Sequence, residues 1–194
     1  MIPVIIAICG KSASGKDTLA KAFIEDGYGF TNIVSDTTRP PRQGERDGID
    51  YNFLSVEEFQ KKQKKDKYLE ISKFRGWYYG TDKDSACGKI NVGVFNMDGI
   101  ISLLRLVGTK EYKVIPVYIK VGVFTRLVRS VKREHKLSLE MIRRVFADWR
   151  DFAEIDIWLQ RFPQYIVRKK LKTMQNYHEL TQYIVSEYLS DYYK

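Results

Sequence analysis

Cysteine and histidine are nearly absent from this chain of 194 residues, which carries two of each. Cys9 and Cys87 cannot make a disulfide framework, and so sparse a use of thiols suits a reducing cytoplasm. His135 and His178 each stand without a cysteine or a second histidine at ligand spacing, so no metal cage built from protein ligands is expected. No run approaches the roughly 18 apolar residues of a membrane span. Met1-Ile2-Pro3 leads directly into an apolar segment, without the charged region and cleavage site of a secretory leader. The expected location is therefore cytoplasmic, with no membrane partner. Repeats and low-complexity linkers are also missing. With 44% hydrophobic residues the chain can bury a full core as one domain. Acidic residues are the minority, 24 against 33 lysines and arginines, which leaves a net charge of +9. That balance admits nucleic acid as a partner. The densest basic runs, at 61–65 and 168–172, have no aromatics interleaved at stacking spacing. A solvated basic exterior around a site for anionic nucleotides is the expectation instead.

What is present starts with Gly10-Lys11-Ser12-Ala13-Ser14-Gly15-Lys16-Asp17-Thr18. The preceding Val4 to Cys9 is apolar and β-branched, which predicts a strand buried on both faces. Leu19 to Ile24 has helical spacing. Between strand and helix, the spacing G-x-x-x-x-G-K is that of a phosphate-binding P-loop. Gly10 and Gly15 let the backbone curl until its N–H groups converge, and the helix adds its positive end. Lys16 adds a charge for the β- and γ-phosphates. Residues Gly10 to Thr18 are thus expected to bind ATP. A serine or threonine usually follows the lysine, but here Asp17 does, with Thr18 one place later. A carboxylate there repels phosphate unless Mg²⁺ or Lys16 offsets it. Mg²⁺ should therefore arrive with ATP, touching Thr18 or reaching Asp17 through water.

Asp26-Gly27-Tyr28-Gly29 reads as the stop of the first helix. Two prolines and two glycines between Ser35 and Phe53 predict an ordered loop that enters a short strand at Tyr51 to Leu54. Its arginines and tyrosine suit a phosphate monoester. Ser55 and Glu58 form a capping box for a helix running to about Lys65. Two strands, from Tyr68 and from Lys73, flank a turn at Arg75-Gly76. Thr81 would cap the short helix that follows, with Gly88 closing it. Ile90 to Phe95 reads as a buried strand, with Gly93 as a place of close backbone approach. Asp98 would cap a helix carrying Ile101, Leu103 and Leu104. Pro116 puts a bulge or an edge position into the strand Tyr112 to Ile119. A basic helix at Phe124 to Arg133, a second helix capped by Ser138, a strand at Tyr165 to Val167 and a terminal helix from Asn176 complete the chain. The terminal helix should turn Leu180, Ile184 and Tyr188 inward.

Thr37-Thr38-Arg39-Pro40-Pro41-Arg42, continuing through Glu45, Gly48, Tyr51 and Phe53, resembles the signature of guanylate kinases. The resemblance runs without a gap from Ser35 to about Gly99, and more loosely over nearly the whole chain. It implies that Ser35, Arg39, Arg42, Glu45, Tyr51 and Tyr79 serve the phosphate of GMP or dGMP, with Glu45 orienting an arginine. It implies that Glu70 and Thr81 read guanine, and that Arg129, Arg133 and Arg144 come from a lid onto the triphosphate as catalytic residues beside Lys16. Where the family ends a strand with Asp-x-Asp, this chain has Val94 and Asn96. Where the family places an asparagine near adenine, it has Arg168.

Strands alternating with helices, opened by a P-loop, predict an α/β, three-layer P-loop NTPase fold with a mainly parallel sheet. The core would comprise 1–34, 86–122 and 153–194, with a small β nucleotide-monophosphate subdomain at about 35–85 and a helical lid at about 123–152. The expected reaction is Mg²⁺-dependent phosphoryl transfer from ATP to GMP or dGMP. The alternatives are a kinase of other or broader base specificity and a catalytically inactive binding module. The sequence says nothing about oligomeric state.

Overall fold

The first strand, β1 (Val4–Gly10), is buried along its whole length, as a run of Val, Ile, Ala and Cys requires. In the computed structural model it feeds the glycine loop and then α1 (Lys16–Glu25). The structure describes residues 1–42, 44–106, 111–134, 148, 152, 166–169 and 174–193, with backbone only at 106, 133–134, 166–169 and 174. The Ser138-capped helix therefore lies outside the described residues, apart from single positions.

The strands that follow are β2 (Thr31–Asn32), β3 (Asp36–Thr37), β4 (Asn52–Phe53), β5 (Tyr68–Phe74), β6 (Trp77–Asp82), β7 (Ile90–Val94), β8 (Lys113–Lys120) and β9 (Ile166–Lys169). The helices are α2 (Val56–Lys64), α3 (Met97–Leu106), α4 (Val123–Glu134) and α5 (Met174–Tyr188). One sheet has the order β2-β7-β1-β8-β9, with β2–β7 and β8–β9 parallel. Such parallel neighbours need crossover helices, which makes this the mainly parallel sheet of an α/β fold. A second sheet has the order β4-β3-β6-β5, with β5 and β6 antiparallel. Contacts divide the chain into two compact units, Met1–Ala7 with Gly27–Ile115 and Ile8–Asp26 with Pro116–Lys194.

In the first unit, both bonds of the Ser55–Glu58 capping box form at the start of α2. The box is worth about 1 kcal/mol to the helix. Arg75 and Gly76 both take positive φ, 52° and 88°, which closes the β5–β6 hairpin with the twist its strands need. Phe59 of α2 is fully buried and stacks on Tyr68 at 4.7 Å and on Tyr78 at 5.6 Å. Beside this stack lies a polar knot. Lys62 Nζ lies 2.5 Å from Asp36 Oδ2 and 2.6 Å from Asp82 Oδ2, while Tyr68 and Asn52 donate to Asp36 at 2.8 Å each. Asp36 is fully buried, so these partners are what make its charge tolerable. An added Cβ at Gly93 would meet Phe95 at 2.7 Å, the close approach expected from the sequence.

Several local expectations are corrected. Asp82, not Thr81, caps the 3₁₀ turn Lys83–Ala86, by accepting from the Asp84 amide. Thr81 is still within β6 and faces Glu70 instead. Asn96, not Asp98, caps α3 through the Gly99 amide. The helix therefore starts earlier, and Ile100 and Leu103 are fully buried while Ile101 and Leu104 are half-buried. Pro116 is in an interior strand rather than at an edge, outside the β8–β9 register that begins at Val117. The strand β3 was absent from the sequence reading. Two residues in a Thr- and Pro-rich stretch carry no alternation to betray a strand.

In the second unit, α1 and α5 pack together. Leu180 and Ile184 are buried, and Tyr188 is half-buried because Leu189, fully buried, takes the inward place. Phe152 stacks on Tyr118 at 6.0 Å.

Candidate nucleotide sites

The second unit holds the glycine loop. Gly15 caps α1 in the left-handed region at φ 101°, and Ala13 takes φ 57°. A Cβ on Gly15 would collide with the Tyr177 hydroxyl of α5. The glycine is thus demanded twice, by backbone conformation and by a close neighbour. Gly10 is as confined, since its Cβ would meet Ser14 Oγ at 2.7 Å and the Ile119 carbonyl at 2.8 Å. Lys16 opens α1, with its ammonium 3.2 Å from the Lys11 carbonyl. Asp17 is exposed and Thr18 half-buried in the same first turn.

Side chains from outside the loop hold its shape. Asp148 accepts from the Ser12 amide at 2.9 Å and from the Ser12 hydroxyl at 3.1 Å. Arg126 Nη1 lies 2.6 Å from Asp148 Oδ2 and 3.3 Å from the Ser12 carbonyl, and both partners are buried. Arg129 donates to the Ser14 carbonyl at 2.8 Å. Of the three expected lid arginines, Arg129 therefore reaches the loop. The Arg133 side chain, Arg144 and the Arg168 side chain lie outside the described residues. Sequence reasoning missed Arg126 and Asp148. Arg126 is three residues before Arg129 on α4, on the same helix face, and that spacing was the available signal.

The first unit brings the other candidates together. Arg39 is buried, and its guanidinium meets Glu45 through Nη2 at 3.0 Å and Nη1 at 2.9 Å. It also lies over the Tyr51 and Phe53 rings at 5.3 and 5.7 Å. Glu45 accepts from the Arg42 amide at 2.7 Å, and the Arg42 side chain is exposed, 3.8 Å away. Burial alone would lower the Arg39 pKa, yet the bond and charge of Glu45 outweigh it and raise the value. For Glu45 burial opposes ionisation, but the Arg39 bond and the Arg42 amide hold its pKa low. Tyr51 and Tyr79 rings meet edge-on at 6.1 Å. Ser35 is buried, and its carbonyl accepts from Asn52. The result is a cationic, aromatic-walled corner whose buried Arg39 Nε has no partner among the described residues. A phosphate monoester would complete it.

Further along the same sheet, Glu70 and Thr81 face each other across the β5–β6 register. Glu70 is 5% exposed, and its Oε1 accepts from the Thr81 hydroxyl at 2.9 Å. Its Oε2 is buried and, among the described residues, has no partner. Burial pushes the Glu70 carboxyl up to about 7, against the lowering effect of the Thr81 bonds. A buried acceptor left open is costly unless a ligand satisfies it. Asn96 is beside this pocket, with its amide on Ser72 Oγ at 3.0 Å.

A P-loop opening a helix, on an α/β sheet, together with a cationic corner around Arg39 and a buried carboxylate at Glu70, defines a nucleotide-handling P-loop protein. The family "Guanylate kinase" matches residues 2–187. The chain is 35% identical over 144 residues to a guanylate kinase of Chlorobaculum tepidum, covering 72% of each. It is 44% identical over 90 residues to one of Clostridium acetobutylicum, covering 46% of this chain and 43% of the relative. In structure it resembles guanylate kinase from Anaplasma phagocytophilum, with a TM-score of 0.68 over 96% of this chain and 86% of that one. Sequence identity there is 19%, so that likeness speaks to the fold. The chain belongs to the guanylate kinase family.

Proposed function

We infer that this protein transfers the γ-phosphoryl group of ATP to GMP or dGMP, giving ADP and GDP or dGDP. The observation that carries the reading is the unpaired, buried Glu70 carboxylate oxygen opposite Thr81. Guanine offers N1–H and the 2-amino group side by side, and one carboxylate accepts both. Adenine presents a lone pair at N1, which repels the carboxylate and leaves it desolvated and unpaired. Sites of this kind reject the wrong base by about 10⁴ or more.

Arg39, Arg42, Tyr51, Tyr79 and Ser35 hold the acceptor phosphate, with Glu45 orienting Arg39. The loop amides from Gly10 to Thr18 and Lys16 hold the ATP phosphates. An acceptor phosphate oxygen attacks the γ-phosphorus in line, the bond to the β-bridging oxygen breaks, and ADP leaves. The nucleophile is already anionic, so no general base is needed. Arg129, Arg133 and Arg144 offset charge on the migrating group as a lid at about 123–152 and a monophosphate subdomain at about 35–85 close over it. Among the described residues no cluster of three His, Cys, Asp or Glu could cage a metal. A half-buried hydroxyl and an exposed carboxylate in the first turn of α1 suit a cation carried in by phosphates. Thr18 would touch Mg²⁺ and Asp17 would reach it through water, and the ion would neutralise phosphate charge. Among the described residues no helix is long and apolar enough to cross a membrane, and we place the enzyme in the cytoplasm with its nucleotides.

The test is ADP release measured across a panel of nucleoside monophosphates. GMP and dGMP should exceed AMP, CMP and dTMP by orders of magnitude. Equal use of thymidylate or cytidylate would overturn the guanine reading.

A further inference from the structure

The polar knot of the first unit has no part in the reading above, yet it takes one polar side chain from every strand of the second sheet. Asp36 of β3 accepts from Asn52 of β4 and Tyr68 of β5, and Lys62 of α2 ties it to Asp82 of β6. The knot lies on the face that α2 covers, where Phe59 stacks on Tyr68 and Tyr78. In a strand the neighbours of such a residue leave by the other face. Those neighbours include Ser35 before Asp36, Tyr51 before Asn52 and Thr81 before Asp82, all three proposed to hold the acceptor nucleotide. Thr37, on the other side of Asp36, accepts the Arg39 amide at 3.2 Å and so links the knot to the arginine corner. Tyr68 and Glu70, two apart, would share a face in a regular strand. The irregularity between them, with Tyr68 opposite Asp82 and Glu70 opposite Thr81, sends them to opposite faces instead.

A buried ion cluster is a poor source of stability, since well-packed apolar side chains serve as well or better. What it supplies is a single arrangement. Burial works against the Lys62 charge, yet its bonds to Asp36 and Asp82 hold its pKa above the usual lysine value. Sliding β5 by one residue would part Tyr68 from Asp36 and turn Glu70 toward α2.

We propose that this cluster, with Asp36 as its hub, is a positioning device for the acceptor nucleotide. It fixes strand register from the covered face, so that Ser35, Arg39, Tyr51, Glu70 and Thr81 keep their places on the other. The inference rests on the acceptor reading above and deepens it. Asp36, Lys62 and Asp82 act through those residues and are positioning residues.

The experiment is steady-state kinetics on the full chain with GMP and ATP varied in turn, below the melting range of every variant. Asp36→Asn keeps the shape of the side chain and removes its charge. It should lower kcat/KM for GMP by about 10- to 100-fold, the scale of a small misplacement of substrate, with KM for ATP unchanged. Lys62→Met should do the same. The two together should cost no more than either alone, because each breaks the same cluster. Lys62→Arg still spans both carboxylates and should keep most of the wild-type value. Phe59→Leu loosens the same face without touching a charge, so it should lower the melting midpoint and leave kcat/KM for GMP near wild type. Three results overturn the proposal: additive losses in the double variant, an unchanged kcat/KM for GMP in Asp36→Asn, or an equal loss in Phe59→Leu, which would make the cluster a matter of stability alone. Arg39→Ala separates the two levels. If it leaves GMP use unchanged, the acceptor reading itself fails and this inference with it. If it impairs GMP use while Asp36→Asn does not, only the role of the cluster fails.

Discussion

The glycine loop of the second unit and the Glu70 pocket of the first are built by different means. Between Gly10 and Lys16 the groups proposed to meet phosphate are mostly backbone N–H, and side chains such as Asp148, Arg126 and Arg129 hold the backbone in shape. In the first unit the groups proposed to recognise the acceptor nucleotide are side chains, held by other side chains: Arg39 by Glu45, Glu70 by Thr81. Backbone recognition leaves most loop residues free to vary but forbids a Cβ where Gly15 faces Tyr177. Side-chain recognition reverses this. It depends on residue type, and it lets a charge be kept ready in a buried place. Among the described residues both Arg39 Nη atoms meet Glu45 while Arg39 Nε has no partner, and Glu70 keeps an unpartnered Oε2. Among the described residues the pocket keeps an unsatisfied carboxylate oxygen, Glu70 Oε2, whereas the unsatisfied buried atom of the loop is a neutral hydroxyl, Ser14 Oγ.

The largest break of this contrast is Lys16→Ala. Removing the one loop side chain expected to act on the migrating phosphate should lower kcat by about 10²- to 10³-fold, with the thermal midpoint nearly unchanged. Near-normal turnover would show that the loop amides suffice and that Lys16 has no catalytic part.

Next is Glu70→Gln, predicted to weaken GMP use by about 2–4 kcal/mol if its bonds to guanine are charge-assisted and desolvated, with ATP binding unaffected. The same change sharpens the contrast through pH. The folded carboxyl titrates near 7 against 4.5 for the free group. Between those values the folded state binds more protons than the unfolded state, so stability falls as pH rises through that window and levels off above it. Glu70→Gln should flatten this profile and stabilise the nucleotide-free protein at pH 8 by up to about 3 kcal/mol. KM for GMP in wild type should fall as pH rises through 7, because only the carboxylate accepts both donors. Chemical denaturation at pH 5 and pH 8 tests the first part; identical slopes for wild type and variant would remove Glu70 as a strained group.

Asp148→Ala tests whether the loop depends on outside side chains. It frees the Ser12 amide and leaves the buried Arg126 guanidinium without its carboxylate. A loss of about 3 kcal/mol is expected for breaking such a pair, together with a raised KM for ATP and an unchanged KM for GMP. A rise in both KM values would mean the loop and the pocket are not independent in this respect. The smallest effect is that of Ser55→Ala, which removes the α2 cap from the pocket's unit. It should cost about 1 kcal/mol of stability and leave both KM values alone.

The glycine loop could be read from nine consecutive residues because a backbone site is a local object. Its conformation follows from where glycines fall between a strand and a helix. The capping box at Ser55–Glu58 and the turn at Arg75-Gly76 were legible for the same reason. The arginine–tyrosine corner was named only through resemblance. Arg39, Tyr51 and Tyr79 are up to forty positions apart, and no spacing rule joins them. Asp98 and Thr81 were assigned caps they do not make, because each neighbours a residue equally able to cap. Residue type cannot break that tie; the true start of α3 and the true end of β6 decide it.

The chain by itself determined the α/β character, the phosphate loop and its lysine, since these depend on apolar runs and on glycine's freedom at short range. Tertiary structure decided the rest. Sheet pairing set Glu70 against Thr81, packing left one carboxylate oxygen dry and open, and α3 turned the Asn96 amide onto Ser72. Charge state and proton direction depend on what surrounds a group in three dimensions. A buried carboxyl pushed up to about 7 is a property of the fold.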